Sequence, residues 1–315
     1  MESEQEGPIP RTLFITGAND PYFTVITSLL MSFRLFEPNQ TLMVCDFGLS
    51  NEQCRFLSSQ GILLPMPTDL KGGLHPFYYK ASIWKYVEHI DFDRLVWIDG
   101  DCLIANPVAR EINKHFSPHI AKGAPFMGAC QDSVGTIGQF CNNFDVAPFD
   151  KLLDQHGISR DLPYLNSAVF MVNSHEMLRE WHRLIFEIES HILHEQNLFN
   201  ILTYTLFDSP ELLDRRIWNV HDLHLNDLKV ETDTDDPALP YQILLNDAPV
   251  QLAHATSFQG RAVTAKPMRI PVGDRVIDGY VRTTKNPHVA YLFQSMMSYF
   301  LLQNKADLTK CGVLN

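Results

Sequence analysis

Leu95-Val96-Trp97-Ile98-Asp99-Gly100-Asp101-Cys102-Leu103-Ile104 is the stretch on which the fold of this chain turns. Its first four residues are apolar, β-branched or aromatic, and predict a buried strand. The strand delivers two carboxylates, one residue apart, to its carboxyl end, where open α/β sheets bind ligands. Carboxylates so close repel each other, and a hard cation relieves the repulsion by taking oxygen ligands from one or both. The same tripeptide also occurs as a surface turn with acidic caps, so its weight depends on what surrounds it.

Working outward, strands alternate with helices. Leu13-Phe14-Ile15 predicts a first strand ending at Thr16-Gly17, and Asp20-Pro21 a helix start with Asp as N-cap. Val25, Ile26, Leu29, Leu30 and Phe33 follow at helical spacing. Thr41 to Cys45 predicts a second strand, Ser50 with Gln53 a capping box, and Ile62 to Leu64 a third strand. Tyr79, Ile83, Val87 and Ile90 mark one helix before the fourth strand, Leu95 to Ile98. This rhythm predicts an α/β layer architecture with a mainly parallel sheet. From Pro107 to Pro148, scattered Pro and Gly predict a loop-rich middle. Ala168 to Val172 then reads as a strand, Ser174 as the cap of a helix carrying Leu178, Trp181 and Ile185, and Leu198, Leu202 and Leu206 as a further helix. Glu231 to Asp236 reads as an acidic loop, Val250 to Ala253 as a late strand, and His288 to Gln303 as an apolar C-terminal helix.

The chain has 315 residues, 45% hydrophobic and 20% charged, which excludes a disordered or fibrous protein. Its formal charge of −12 gives no electrostatic grip on nucleic acid or an anionic membrane, although a small phosphate ligand remains open if positive charge is supplied locally. The six cysteines form no C-x-x-C pair and read as free thiols of a reducing compartment. Met1 to Pro10 lacks the features of a signal peptide, and no run approaches the ~20 apolar residues that span a bilayer. A cytoplasmic protein is the expectation.

Two residues strengthen the metal reading of Asp99 and Asp101. His254 stands at the end of the late strand, where its imidazole could complete an O,O,N shell for a borderline ion such as Mn²⁺. Lys80 precedes the D-x-D strand behind Tyr78-Tyr79 and could reach a phosphate.

The order of these pieces resembles glycosyltransferase family 8, retaining GT-A enzymes that include glycogenin and bacterial galactosyltransferases. The resemblance spans about residues 11–270 and lies in the series more than in any one motif. Thr16-Gly17-Ala18-Asn19-Asp20 with Tyr22 resembles the first strand and loop that hold uridine, and Lys80-Ala81-Ser82-Ile83-Trp84 the helix whose basic residue contacts the donor. Trp97-Ile98-Asp99-Gly100-Asp101 stands where the family has Tyr-Leu-Asp-Ala-Asp, followed by Ala105-Asn106-Pro107. Asp132, after a strand Phe126 to Ala129, falls near an acidic residue that touches the donor sugar. Leu165-Asn166-Ser167-Ala168-Val169 is similar to Phe-Asn-Ser-Gly-Val, and Glu195-Gln196 with Asn200 to Asp-Gln-x-x-x-Asn. Trp218-Asn219 resembles a further strand motif, and His254 the metal-binding His of His-Phe-x-Gly-x-x-Lys-Pro-Trp.

The resemblance implies a GT-A, Rossmann-like mixed sheet, mainly parallel and flanked by helices. It divides the chain into a tail (1–10), a catalytic domain (11–270) and an extension with an apolar helix (271–315). It implies transfer of a hexose or related sugar from a UDP-sugar to an unidentified acceptor. Mn²⁺, with Mg²⁺ as the alternative, would be held by Asp99, Asp101 and His254. Donor contacts would come from Thr16, Gly17, Ala18, Tyr22, Lys80, Asp99, Gly100, Asn166 and Ser167, and Asp132, Glu195 and Gln196 would stand at the sugar and its anomeric carbon. Glu195 replaces an Asp, Ala168 replaces a Gly, and Ala255 to Met268 is longer than the family's segment. Lys266 and Arg261 therefore compete for the diphosphate role, with Lys266 favoured.

Three rivals have recognisable signatures. A phosphatase of the haloacid dehalogenase type carries D-x-D on its first strand and continues into Thr, whereas here it ends the fourth and continues Cys102-Leu103-Ile104. A nucleotidyltransferase would place a Gly-rich basic loop after the first strand, and Gly17 has no Lys beside it. A silent nucleotide-sugar binding protein would keep the same donor residues. The sugar, the acceptor and the oligomeric state are left open.

Overall fold

The computed structural model describes residues 11–120, 123–232, 240–256 and 262–314. The tail 1–10, residues 233–236 of the acidic loop, and Arg261 lie outside the described residues.

The strands in chain order begin with β1 (Thr12–Ala18), β2 (Leu42–Asp46), β3 (Leu63–Leu64), β4 (Arg94–Ile98), β5 (Cys102–Ile104), β6 (Met127–Thr136), β7 (Pro163–Val172) and β8 (Glu211–Leu213). Seven of these form one sheet in the order β3-β2-β1-β4-β7-β6-β8. Only β7 runs against the rest, antiparallel to both β4 and β6. The chain leaves β1 in one direction, to β2 and β3, and returns to β4 on its other side. The carboxyl ends of β1 and β4 therefore meet at a topological switch point, the crevice where such sheets bind ligands.

Both faces of this sheet are buried, which is why its strands are apolar at successive positions rather than alternating with polar ones. Phe14, Val96, Ile98, Val169 and Met171 join one core. Their neighbours Ile15, Leu95, Trp97, Phe170 and Val172 join the other. The helix Phe23–Phe36 is buried almost all round because the sheet covers one side and the C-terminal helix Pro287–Gln303 another. Ser28 Oγ donates to Phe293 O at 2.9 Å across that second contact.

Several boundaries depart from the expectation for stated reasons. Asn19, not Asp20, caps the short helical turn before Phe23, accepting from Tyr22 N. The single helix expected over Tyr79 to Ile90 is two, Pro76–Ala81 and Ile83–Val87, because Ser82 has left helical geometry (φ −95°, ψ 19°). The middle is far less loop-like than its Pro and Gly content suggests: Pro148 sits in the first turn of a helix and Thr136 with Gln139 makes a capping box. These residues punctuate helices rather than replace them. Asp132 stands inside β6, not after it, in a stretch where the pairing with β7 shifts register.

The remaining strands complete the site. β9 (Leu228–Glu231), β10 (Gln242–Leu245) and β11 (Ala248–Pro249) form a small antiparallel sheet. β12 (Leu252–His254) pairs antiparallel with β5, and β13 (Val263–Val272) with β14 (Arg275–Thr284) forms a long hairpin not foreseen from the sequence. Residue 270, the expected end of the catalytic domain, falls within β13. Thr24 seats this hairpin on the first helix: its hydroxyl donates to Tyr280 O at 2.8 Å and accepts from Tyr280 N at 2.9 Å. A methyl at Gly279 would lie 2.3 Å from that hydroxyl, so the close approach requires glycine.

Candidate metal and donor site

β4 ends at Ile98, and Asp99-Gly100-Asp101 turns the chain into β5, with Cys102 N donating to Asp99 O at 3.0 Å. Gly100 is fixed by crowding, since a methyl there would lie 2.5 Å from Ile26 Cγ2. Gly17 is held likewise, 2.4 Å from the Phe47 ring. The pairing of β12 with β5 sets His254 opposite Cys102, one residue past Asp101, and Ala255 N donates to Asp101 O at 2.8 Å. A separation of 153 positions is thus closed by a three-residue ladder. One ligand atom each of Asp99, Asp101 and His254 lie within 4.8 Å of one another.

The donor set is two carboxylate oxygens and an imidazole nitrogen, and its supporting contacts suit a cation. His254 Nδ1 lies 2.8 Å from Asn219 Oδ1, while Asn219 Nδ2 donates to Asn166 Oδ1 at 2.9 Å. That second bond fixes the Asn219 amide, so its oxygen faces His254 and Nδ1 carries the proton. Nε2 stands 3.1 Å from Asp101 Oδ1, where a bound cation would take the place of the proton shared between them. Burial opposes ionisation of Asp101, but His254 and Arg282 outweigh it and hold its carboxyl below the usual carboxylate range.

Two permanent cations stand around this cluster. Lys80, in the last turn of Pro76–Ala81, lies 2.9 Å from Asp99 Oδ1 and 3.5 Å from Glu195 Oε1. Burial works against its charge, yet the carboxylates of Asp99 and Glu195 prevail and raise its pKa. Trp97 Nε1 also donates to Asp99 Oδ1, at 2.6 Å. On the other side Arg282 of β14 reaches Asp101 Oδ2 at 3.1 Å and lies over the Tyr22 ring, which stacks on Tyr280 at 5.7 Å.

A second group continues the network away from His254. Asn166 Nδ2 donates to Asp132 Oδ2 at 2.7 Å, and Gln196 Nε2 reaches the same oxygen at 3.2 Å. Gln196 Oε1 accepts from Ser167 N at 3.2 Å, so both ends of the amide are occupied. Ser167 Oγ donates to Glu195 Oε1 at 2.7 Å, and Glu195 Oε2 accepts from Gln196 N at 2.7 Å. The carboxylate of Glu195 is thus turned inward on Ser167 and Lys80, and burial pushes its pKa up.

Asp99, Asp101, His254, Lys80, Asp132, Asn166, Ser167, Glu195 and Gln196 therefore belong to one contiguous constellation. Thr16, Gly17, Ala18 and Tyr22 flank it at the end of β1, with Thr16 Oγ1 buried and unpartnered among the described residues. Lys266 is not brought in: it is exposed on β13 and pairs with Val281, so it leaves the hairpin on the face opposite Arg282. Sequence reasoning missed Arg282, Tyr280 and Asn219. Trp218-Asn219 was visible as a motif without a role, and nothing marks Arg282, whose place is set by hairpin register alone.

The sheet order, its one reversed strand and the flanking helices define the GT-A glycosyltransferase fold. The galactosyltransferase LgtC, solved in complex with donor and acceptor sugar analogues, shares it at TM-score 0.53 and 14% identity, over 93% of this chain and 99% of that one. The apo structure of the bifunctional glycosyltransferase WbbM is similar at TM-score 0.51 and 12% identity, over 80% of this chain and 47% of that one. This chain spans about half the length of the latter. No protein-family model matches the sequence, and no curated protein sequence does. Among the described residues, no helix is long and apolar enough to cross a membrane.

Proposed function

We propose that this chain is a metal-dependent retaining glycosyltransferase of the family 8 type, moving a hexose or related sugar from a UDP-sugar to an acceptor hydroxyl. The observation that carries this is the convergence of Asp99, Asp101 and His254 donor atoms within 4.8 Å at the switch point of a GT-A sheet. Mn²⁺, or Mg²⁺ in its place, fits that O,O,N set, and when bound it supplies Lewis acidity toward the leaving diphosphate.

The protein's own residues carry the rest. Asn219 holds His254 in the tautomer that presents Nε2 to the cation. Lys80 and Arg282 flank the two aspartates and add charge-assisted hydrogen bonds as negative charge builds on the diphosphate. Arg282 is a further cation on the side of Asp101, beside the part that the resemblance gives to Lys266 or Arg261. Asp132 and Asn166 offer polar atoms to sugar hydroxyls, joined by a 2.7 Å bond that sets their orientation. Glu195, buried against Lys80, positions that lysine. Gln196 is an amide and a poor nucleophile, so front-face displacement through an oxocarbenium-like state is favoured over a covalent intermediate.

A phosphatase of the haloacid dehalogenase type carries D-x-D on its first strand, whereas Asp99 and Asp101 follow β4. The test is a panel of UDP-sugars with Mn²⁺, scored by thermal shift and slow donor hydrolysis, for the parent and Asp101→Asn. The parent is expected to release UDP from at least one donor and Asp101→Asn to lose ~100-fold or more. Undiminished turnover in Asp101→Asn refutes the metal site.

A further inference from the structure

Of the buried polar atoms with no hydrogen-bond partner among the described residues, His221 Nε2 is set apart by its place. Residues 219–222 run beside β12 and are clamped to it. Val220 N donates to Leu252 O at 3.1 Å, His254 N to Val220 O at 2.9 Å and Asp222 N to Thr256 O at 3.0 Å. In an extended segment, alternate residues share a face. Asn219 turns its side chain to Asn166 and His254, and His221 is the next residue on that side, its ring centroid 6.1 Å from that of His254.

The chemistry of the ring is settled by its other nitrogen. His221 Nδ1 lies 2.8 Å from Asn219 O, a carbonyl that can only accept, so Nδ1 carries the proton and Nε2 a lone pair. A buried acceptor left without a partner is destabilising, so a ligand that supplies a donor gains by meeting it. A phosphate or carboxylate brings no proton to such an acceptor, whereas a hydroxyl does.

We infer that His221 is a carbohydrate-binding residue whose Nε2 accepts a hydrogen bond from a sugar hydroxyl, of the donor sugar or of the acceptor. This rests on the UDP-sugar reading above and adds to it a contact that the family resemblance did not supply.

The experiment compares the parent with His221→Phe and His221→Gln in the full chain with Mn²⁺. Calorimetry gives the affinities for UDP and for UDP-glucose and UDP-galactose, and UDP release is followed in the presence of a panel of methyl glycosides. Phe keeps the ring shape and removes the acceptor, and Gln returns an acceptor near the Nε2 position. A donor-sugar contact predicts that His221→Phe loses tenfold or more in UDP-sugar affinity while UDP affinity stays within twofold. An acceptor contact predicts unchanged UDP-sugar affinity and a tenfold or greater loss in the glycoside-stimulated rate. In either case His221→Gln recovers most of the loss. A purely structural role would lower UDP affinity and thermal stability together with the rest, and Gln carries the comparison should Phe fail to fold. Parental behaviour of both variants in every arm overturns the inference and leaves the glycosyltransferase proposal standing. A parent that binds neither UDP nor UDP-sugar overturns that proposal and the inference with it.

Discussion

Asn219→Ala is the perturbation that most directly probes how the site is held. Asn219 is fully buried and joins the two halves of the network, accepting from His254 Nδ1 at 2.8 Å and donating to Asn166 Oδ1 at 2.9 Å. Truncation leaves the Nδ1 proton buried without a partner, which costs about 1–3 kcal/mol. Asn166 Oδ1 is less affected because it still accepts from Ala168 N at 2.9 Å. The imidazole can recover part of the loss by moving its proton to Nε2 or rotating, and either response removes the lone pair from the cation. Outer-shell partners of this kind typically carry 10–100-fold in metal affinity, about 1.4–2.7 kcal/mol. Asn219→Ala is therefore expected to bind Mn²⁺ at least tenfold more weakly than the parent, by paramagnetic resonance of the free ion, and to unfold at lower urea. Asn219→Asp keeps an acceptor toward His254 while setting a carboxylate oxygen against Asn166 Oδ1, so its Mn²⁺ affinity should exceed that of Asn219→Ala even where the fold is less stable. Parental Mn²⁺ affinity in Asn219→Ala would refute the claim that this amide sets the tautomer of His254.

Two further outcomes follow from buried charge. Lys80→Met leaves Asp99 and Glu195 without their shared cation, and breaking a buried pair in this way costs about 3–5 kcal/mol. Urea unfolding should show that loss, with Glu195→Gln added to Lys80→Met restoring at least 1 kcal/mol; a loss below 1 kcal/mol in the single variant contradicts the burial of the pair. His194 is buried beside His191, and burial first, then that neighbour, lowers its pKa to about 4. The unfolded chain takes up the proton near pH 6.5. Stability contributed by neutral His194 is therefore complete above pH 6.5 and falls as pH drops toward 4. His194→Gln should lose less stability between pH 7 and 4.5 than the parent, by about 1 kcal/mol or more, in parallel urea titrations, and equal slopes would exclude this origin.

How much was legible beforehand depended on how local the cause was. β4 and its two aspartates were legible because an apolar run and a D-x-D turn are contiguous, and Ser50 with Gln53 because a capping box is four residues long. The break at Ser82 and the glycines at 17, 100 and 279 were not, since they answer to side chains brought near by tertiary packing. His254 was found through the order of motifs, while its meeting with Asp101 depends on β12 pairing with β5. Arg282 shows the limit most sharply. It lies on a hairpin whose register alternates Val281 inward and Arg282 toward Asp101, and no spacing in the sequence distinguishes that from the exposed arrangement of Lys266.

The charge of the chain and the charge of the site are different quantities, and the geometry separates them. Asp99, Asp101, Asp132 and Glu195 lie in one hydrogen-bonded network with Lys80 and Arg282 as its permanent cations. Four carboxylates against two cations leave a deficit of two positive charges, the charge of one divalent ion. Spread over an exposed surface, such a deficit would be screened by salt within about 10 Å. Here Glu195 and Lys80 are nearly fully buried and Asp101 is 12% exposed, so screening is weak and the field is local. As a neutral ligand His254 would leave that sum unchanged, so a bound divalent ion would bring the cluster to balance and remove the repulsion a diphosphate would otherwise meet. A third basic residue at the cluster would weaken the cation, and a fifth carboxylate would weaken the nucleotide. Glu195 turns inward onto Lys80, so under the proposed function Asp132 and Asn166 are the polar pair that would meet the sugar.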